Sequence, residues 1–389
     1  MAQTLKFGKG TWATKTGSSM AYNDQNGNYK PLPFNVERDS IATRVNKEGL
    51  IEVVGKDKLR IDYTDSAKGV ALLEPSRTNL ETKSNEFSTW GTASNTTRTA
   101  DYIISPDGTQ NATRLQFTAN GYIANTLQSL ATYTVSCYAK RNDNGTQNVG
   151  FFTNGSGVVN SAWDITSEWK RFTYTFPALN GSFLGIAGVS GADISVYGFQ
   201  LEGLASYASS YIPTSGSTVQ RQADVVNGSG NSEVFNDSEG VLFADISALT
   251  QESSSRYFSI NDGSANNRIR FGYAASNSIR LLVVSSSIQV DITEQLSDTS
   301  SFNKFAIKYK QNDFSLWANG FEIGVDTSGN TPSGISEFDF DNAAGGDDFY
   351  GKTKEIGYYD ATLTDSELEY LTSYRSLNEL VTELNLNTL

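Results

Sequence analysis

The 389 residues include no histidine and a single cysteine, Cys137. Nucleophile–imidazole pairs and histidine-ligated metal sites are therefore excluded, because imidazole is the base or the ligand in each. Carboxylate, tyrosine and lysine chemistry remains. Glycoside hydrolysis needs two carboxylates across a cleft, and the 43 acidic residues supply pairs at every spacing. No compact motif singles out one pair, so the chemistry-bearing residues point to binding rather than catalysis.

Three sets of side chains could bind a ligand or a partner. The first lies in Phe314-Ser-Leu-Trp-Ala-Asn-Gly-Phe-Glu-Ile-Gly-Val325, where Asn319-Gly320 tolerates the positive φ angles of a type I′ hairpin turn. A two-residue loop sets Ala318 opposite Phe321, Leu316 opposite Ile323 and Phe314 opposite Val325, with Trp317 opposite Glu322 on the other face. An outward Trp317 flanked by Asn319 and Glu322 would offer an indole to the CH face of a sugar. The other reading is that a neighbouring strand, loop or subunit covers the ring.

The second set is Asp339, Asp341, Asp347 and Asp348, with Asn342 and Gly345-Gly346 between them. Hard carboxylate oxygens suit calcium, the cofactor this set would imply, although counting from Asp339 places Tyr350 where an EF-hand loop has glutamate. The alternative is a solvated acidic loop. The third set is Leu377, Leu380, Val381 and Leu384, spaced i, i+3, i+4 and i+7 behind Ser376-Leu-Asn-Glu379, a capping-box pattern. This stripe either packs back on its own domain or joins a trimeric helix bundle.

The elements that must position these groups are mostly strands. Tyr133, Val135, Cys137 and Ala139 alternate with polar neighbours, and so do Phe172, Tyr174 and Phe176, and Tyr197, Phe199 and Leu201. Asn144-Gly145 and Asn154-Gly155 supply turns at the spacing of an antiparallel sandwich. Further on, Ile269, Phe271 and Tyr273 alternate, as do Phe305, Ile307 and Tyr309. Helix is expected only near the end, where Thr364-Asp-Ser-Glu367 forms a capping box ahead of Leu368 and Leu371. Cys137 falls on an inward strand position, which predicts a buried, inert thiol.

Net charge is −13, distributed as +3 over residues 1 to 80, −2 over 81 to 226 and −14 over 227 to 389. An acidic surface repels phosphate, and the basic pairs Lys140-Arg141 and Lys170-Arg171 lack interleaved aromatics, so nucleic acid is not an expected partner. No 18 apolar residues follow one another and the first ten hold no apolar run, so neither membrane insertion nor a Sec signal is expected. Asn227-Gly-Ser-Gly-Asn-Ser232 reads as a linker. The layout expected is mainly β: an extended N-terminal arm over 1 to 80, ordered by a partner, antiparallel β-sandwiches over 81 to 226 and 227 to 375, and a short helical tail over 376 to 389.

Met20-Ala-Tyr-Asn-Asp24, Gly27-Asn-Tyr-Lys-Pro-Leu-Pro33, Ile41-Ala-Thr-Arg-Val-Asn-Lys-Glu-Gly-Leu-Ile51, Arg60-Ile-Asp-Tyr63 and Leu72-Leu-Glu-Pro-Ser-Arg-Thr-Asn-Leu80 together resemble the N-terminal signature of bacteriophage tail-fibre-like virion proteins of the Bacteroidetes phage and prophage type. Phe87-Ser-Thr-Trp90, Ser105-Pro-Asp-Gly108 and Tyr207-Ala-Ser-Ser-Tyr-Ile-Pro-Thr214 resemble a carbohydrate-binding-module-like jelly roll. Residues 236 to 375, with Gly351-Lys-Thr-Lys-Glu-Ile-Gly-Tyr-Tyr-Asp360, resemble the concanavalin A-like lectin/laminin G superfamily, whose loops commonly bind calcium. These resemblances imply a non-enzymatic virion appendage, a tail fibre or receptor-binding subunit, made in the host cytoplasm. Its arm would dock on other virion proteins, its sandwiches would bind host surface glycans, and it would form a homo-oligomer, with a trimer favoured. A head fibre or capsid decoration protein, a glycan depolymerase and a free bacterial carbohydrate-binding protein are the rival readings. Folds of these kinds host many functions, so function has to be argued from sites.

Overall fold

The computed structural model describes residues 3–126, 132–159, 163–176, 182–251, 254–275 and 277–383. The chain is mainly β, with antiparallel sheets and two short helices near the C-terminus. It forms two compact units: unit one is Met1–Asp39, Gly55–Pro75 and Ala223–Leu389, and unit two is Ser40–Val54 and Ser76–Gln222.

Among the described residues, unit one is built on two sheets. The larger runs in the order Val225–Asn227, Lys30–Glu37, Ser18–Asn23, Leu5–Gly8, Gly351–Tyr359, Glu239–Ala248, Asn303–Lys310, Phe314–Ala318 and Phe321–Asp326. The smaller runs Ser287–Gln295, Ser278–Ser285, Asn267–Ala274, Arg256–Asn261 and Glu337–Asp339. Period-two alternation turns Leu242, Ala244, Phe305 and Ile307 of one sheet towards Phe258, Ile260, Phe271 and Leu281 of the other. Phe271 meets Phe305 edge-on at 5.3 Å between ring centroids.

The first residues do not form a separate arm. Leu5 and Phe7, and Phe34 and Val36, are fully buried in this core, and Leu5 lies opposite Tyr358 and Phe7 opposite Ile356. The ordering partner expected for this stretch is supplied by the same chain. Asn227-Gly-Ser-Gly-Asn-Ser232, expected as a linker, is likewise inside unit one. Asn227 pairs opposite Asn35, and buried Ser229 donates its hydroxyl to the Leu32 carbonyl at 2.8 Å.

A buried charge cluster joins the three segments of unit one. Asp224 accepts from Arg38 Nη1 at 2.7 Å, from Arg60 Nη2 and from the Glu74 amide at 2.8 Å, while Arg60 Nη1 donates to Glu74 at 2.6 Å. Arg38 also donates to the carbonyls of Gly55 and Lys58. The side chains are almost fully buried. Arg60, burial notwithstanding, is held firmly protonated by Asp224 and Glu74. In a dry interior such charges survive only when paired and hydrogen-bonded on all sides.

Unit two is one folded sheet in the order Gly157–Val159, Val149–Thr153, Phe183–Gly188, Gln110–Thr126, Asp193–Gly203, Tyr133–Arg141 and Lys170–Phe176, with Thr92–Ile104 also on Gln110–Thr126. The long strand Gln110–Thr126 belongs to both layers: residues 113–116 pair with Asp193–Gly203, residues 121–126 with Phe183–Gly188. Phe151 and Phe199, far apart in strand order, lie 6.1 Å apart across the core between the layers. Cys137 sits in that core, and burial pushes its thiol far up, so it is inert. Ser40–Val54 adds a hairpin, held by the Thr43 hydroxyl on the Tyr211 carbonyl at 2.6 Å.

Candidate functional site

The Asn319-Gly320 turn forms as expected, with φ of 50° and 92°. Its surroundings do not make a sugar site. Trp317 does point to the face opposite Leu316, but it is only 7% exposed, packed among Val241, Phe243, Ala306, Tyr359 and Leu368. The covering element is helix α1, Asp365–Thr372, started by the expected box in which Thr364 and Glu367 cap each other. Leu368 is the face that α1 presents to Trp317. Asn319 is committed to the turn: its Nδ2 donates to Asn303 at 2.8 Å, and its Oδ1 accepts from the Lys304 amide and the Tyr374 hydroxyl. Glu322 is exposed beside a ring that no ligand can reach. The strand register also slips at Ile323, so Leu316 faces Gly324, Phe314 faces Asp326 and Val325 is exposed; Phe321 keeps its place opposite Ala318 and is exposed as well.

The four aspartates of the acidic loop do not converge. Asp339 accepts from the Gly228 amide and the Asn261 side chain, Asp341 from the Ala343 amide and Asn227, Asp347 from Asn342, and Asp348 from the Tyr350 hydroxyl. Among the described residues no three acidic or cysteine side chains form a metal-ligating group. The loop's carboxylates fasten neighbouring turns and strands. Helix α2, Leu377–Glu383, is tied to unit one by Glu379 on Lys304 at 2.5 Å; Leu377 is exposed, Leu380 and Val381 are half-buried, and Leu384 lies outside the described residues. Half of the box on Ser376 forms, its hydroxyl accepting from the Glu379 amide at 3.1 Å, while the Glu379 carboxylate accepts from the Arg375 amide instead of closing it.

A groove of about 590 Å³ in unit one is lined by the cations Lys9, Lys68, Lys304, Lys354 and Arg375, all but Lys68 engaged among the described residues. Lys9 meets Glu355 and Lys304 meets Glu379, while Lys354 lies over Phe302 and Arg375 over Tyr370.

Unit two holds an open aromatic site. In its outer layer, Tyr122 faces Ala187, which faces Gly150, while Ala124 faces Gly185, which faces Phe152. These six positions share the surface opposite Ile123, Ile186 and Phe151, whose side chains fill the core. Between Tyr122 and Phe152 the middle strand Phe183–Gly188 presents Gly185 and Ala187 on that surface, with Phe183 at its far end. A side chain at Gly185 is impossible, because its Cβ would fall 1.8 Å from the Ile123 carbonyl oxygen. Tyr122 and Phe152 therefore reach across from the strands on either side and stack, centroids 4.3 Å apart and planes 17° from parallel.

Beside this half-buried pair is a cavity of about 330 Å³ bounded by Asn120, Tyr122, Asn148, Phe152, Ala187 and Val189. Asn120 and Asn148 are exposed, and their amide groups make no hydrogen bond among the described residues. An apolar ring surface flanked by free amides is what a pyranose requires: CH groups against the rings and hydroxyls on the amides. Sequence reasoning missed this site. Asn120-Gly-Tyr122 and Phe151-Phe152 were visible, but only the pairing of three strands brings them together.

No protein-family model and no curated protein matches the chain. Among solved structures, similarity is found to the CBM40 of Ruminococcus gnavus IT-sialidase bound to α2,3-sialyllactose, at 14% identity and a TM-score of 0.33, over 38% of this chain and 94% of that one. The tandem CBM22-1–CBM22-2 of Paenibacillus barcinonensis Xyn10C matches at 9% identity and 0.28, over 74% and 99%. Trypanosoma rangeli sialidase matches at 10% identity and 0.30, over 90% and 65%.

Proposed function

We propose that this chain is a non-catalytic glycan-binding protein whose unit two takes a sugar ring at Tyr122, Phe152, Asn120 and Asn148. The observation that carries the reading is the half-buried Tyr122–Phe152 stack over Gly185 and Ala187, bordering a cavity next to two amides that make no hydrogen bond among the described residues. Trp317 is covered, whereas this pair borders a cavity.

Within this reading the protein is a phage virion appendage, a tail fibre or receptor-binding subunit that engages host surface glycans. The support is the resemblance of residues 20 to 80 to the tail-fibre-like signature. Arg60, Glu74 and Asn79 of that signature are buried structural residues, so attachment to other virion proteins falls to a surface of the folded units rather than to a free arm. Several copies, three in a trimer, would compensate for the weak affinity of one sugar site by raising effective concentration. A glycan array with the purified full chain tests the binding reading: retention of at least one saccharide class is expected, and retention of none contradicts it. Immunogold labelling of phage particles tests the virion assignment separately.

A further inference from the structure

A second feature, in unit one, is not explained by sugar stacking. On the outer surface of the smaller sheet, opposite core residues Ile269, Phe271, Ile279 and Leu281, lie Arg268 and Arg270 of one strand and Arg280 of the next. Arg280 is paired with Asp291 by two hydrogen bonds of 2.7 and 2.6 Å. Arg268 donates to the Asn342 carbonyl, leaving its Nε buried and unbonded; burial makes its protonated form less favourable than usual, with Asp347 and Asp341 opposing that effect.

Arg270 differs from both. It is only 9% exposed and its Nε is buried without an acceptor. Among the described residues it makes no hydrogen bond or ion pair, and its guanidinium lies on the Tyr257 ring at 4.1 Å. Burial, together with the charges of Arg268 and Arg280, makes its protonated form less favourable than usual, with Tyr257 and Asp347 opposing that effect. Across the strands Arg270 faces Ser259 on one side and Leu282 on the other; beyond Leu282 lies Asp291, which is engaged by Arg280, and neither Asp291 nor Asp347 hydrogen-bonds Arg270. A buried guanidinium whose donors meet no acceptor is costly unless a ligand supplies one. Guanidinium forks bind planar oxyanions in two-pronged fashion, and a ring such as Tyr257 keeps the fork flat.

We propose that the Arg268–Arg270–Arg280 face of unit one binds the carboxylate of an acidic sugar, with Arg270 as its main anchor and Tyr257 as the surface behind it. This site lies in the other unit from the Tyr122–Phe152 shelf and does not depend on it.

Calorimetric titration of the full chain tests the proposal with trigalacturonate and N-acetylneuraminate as acidic probes, maltotriose as an uncharged control and sulfate as a free oxyanion. At least one acidic sugar is expected to bind saturably and maltotriose not to compete with it. Arg270→Met is expected to weaken that binding at least tenfold while leaving the ligand-free Tm at or above that of the unsubstituted protein, because an uncompensated charge has been removed. If Arg270→Met does not fold, Arg270→Lys decides: it keeps the charge but loses the fork, and binding undiminished in it overturns the proposal. Failure of both acidic sugars to bind, binding unaltered in Arg270→Met, or a lower Tm in that variant also overturns it, and binding of sulfate alone contradicts the sugar assignment.

Discussion

Trp317 and Tyr122 show how two aromatic side chains on strands reach opposite fates. Trp317 occupies the outer face of its sheet, as its place opposite Glu322 predicts, but α1 lies over it and fills the space a sugar would need. Its role is packing, so Trp317→Ala is expected to cost about 3–5 kcal/mol of stability, read by urea denaturation, with glycan binding by the folded fraction unchanged. Tyr122 also faces outward, but the neighbouring positions carry glycine and alanine. The capping box, the Asn-Gly turn and buried Cys137 were legible in the sequence because each depends on a few adjacent residues. The cover over Trp317 was not, because it depends on where a helix some fifty residues later comes to rest.

At the level of strands, alternation located the elements well. Tyr133–Arg141, Lys170–Phe176, Asp193–Gly203, Asn267–Ala274 and Asn303–Lys310 fall on the alternating runs. Register was less legible: the slip at Ile323 leaves Phe321 and Glu322 opposite their expected partners but shifts Gly324–Asp326 by one residue and turns Val325 outward. The aromatic shelf is a property of register too, since it exists only where Phe183–Gly188 runs between Tyr122 and Phe152. Ala187→Leu tests that dependence. The added side chain would occupy the space beneath the two rings, and glycan affinity is expected to fall at least tenfold, about 1.4 kcal/mol, with the Ile186–Ile123 core side undisturbed. Near-ultraviolet circular dichroism should report the separation of the rings.

Over the whole molecule, the chain passes from unit to unit at residues 39, 54, 75 and 222, an order that composition does not reveal. Residues 1 to 80 looked too polar to fold alone; the apolar side chains of residues 5 to 36 and 59 to 73 complete a core whose other members come from residues 226 to 358, while Ser40–Val54 belongs to unit two. The Arg38–Arg60–Glu74–Asp224 cluster fastens these distant segments. Asp224→Ala leaves two buried guanidinium groups without their shared acceptor, and a loss of about 3–5 kcal/mol is expected, read as an earlier unfolding transition of unit one. An unchanged urea midpoint would show that the cluster does not hold the segments together.

The central claim, that Tyr122 and Phe152 form a sugar-binding shelf, is tested most directly by calorimetric titration of one array-selected oligosaccharide into the full chain and into its Tyr122→Ala and Phe152→Ala variants. Affinity lower by tenfold or more in each variant, at unchanged Tm, is the result predicted here; affinity equal to that of the unsubstituted protein in both would contradict it.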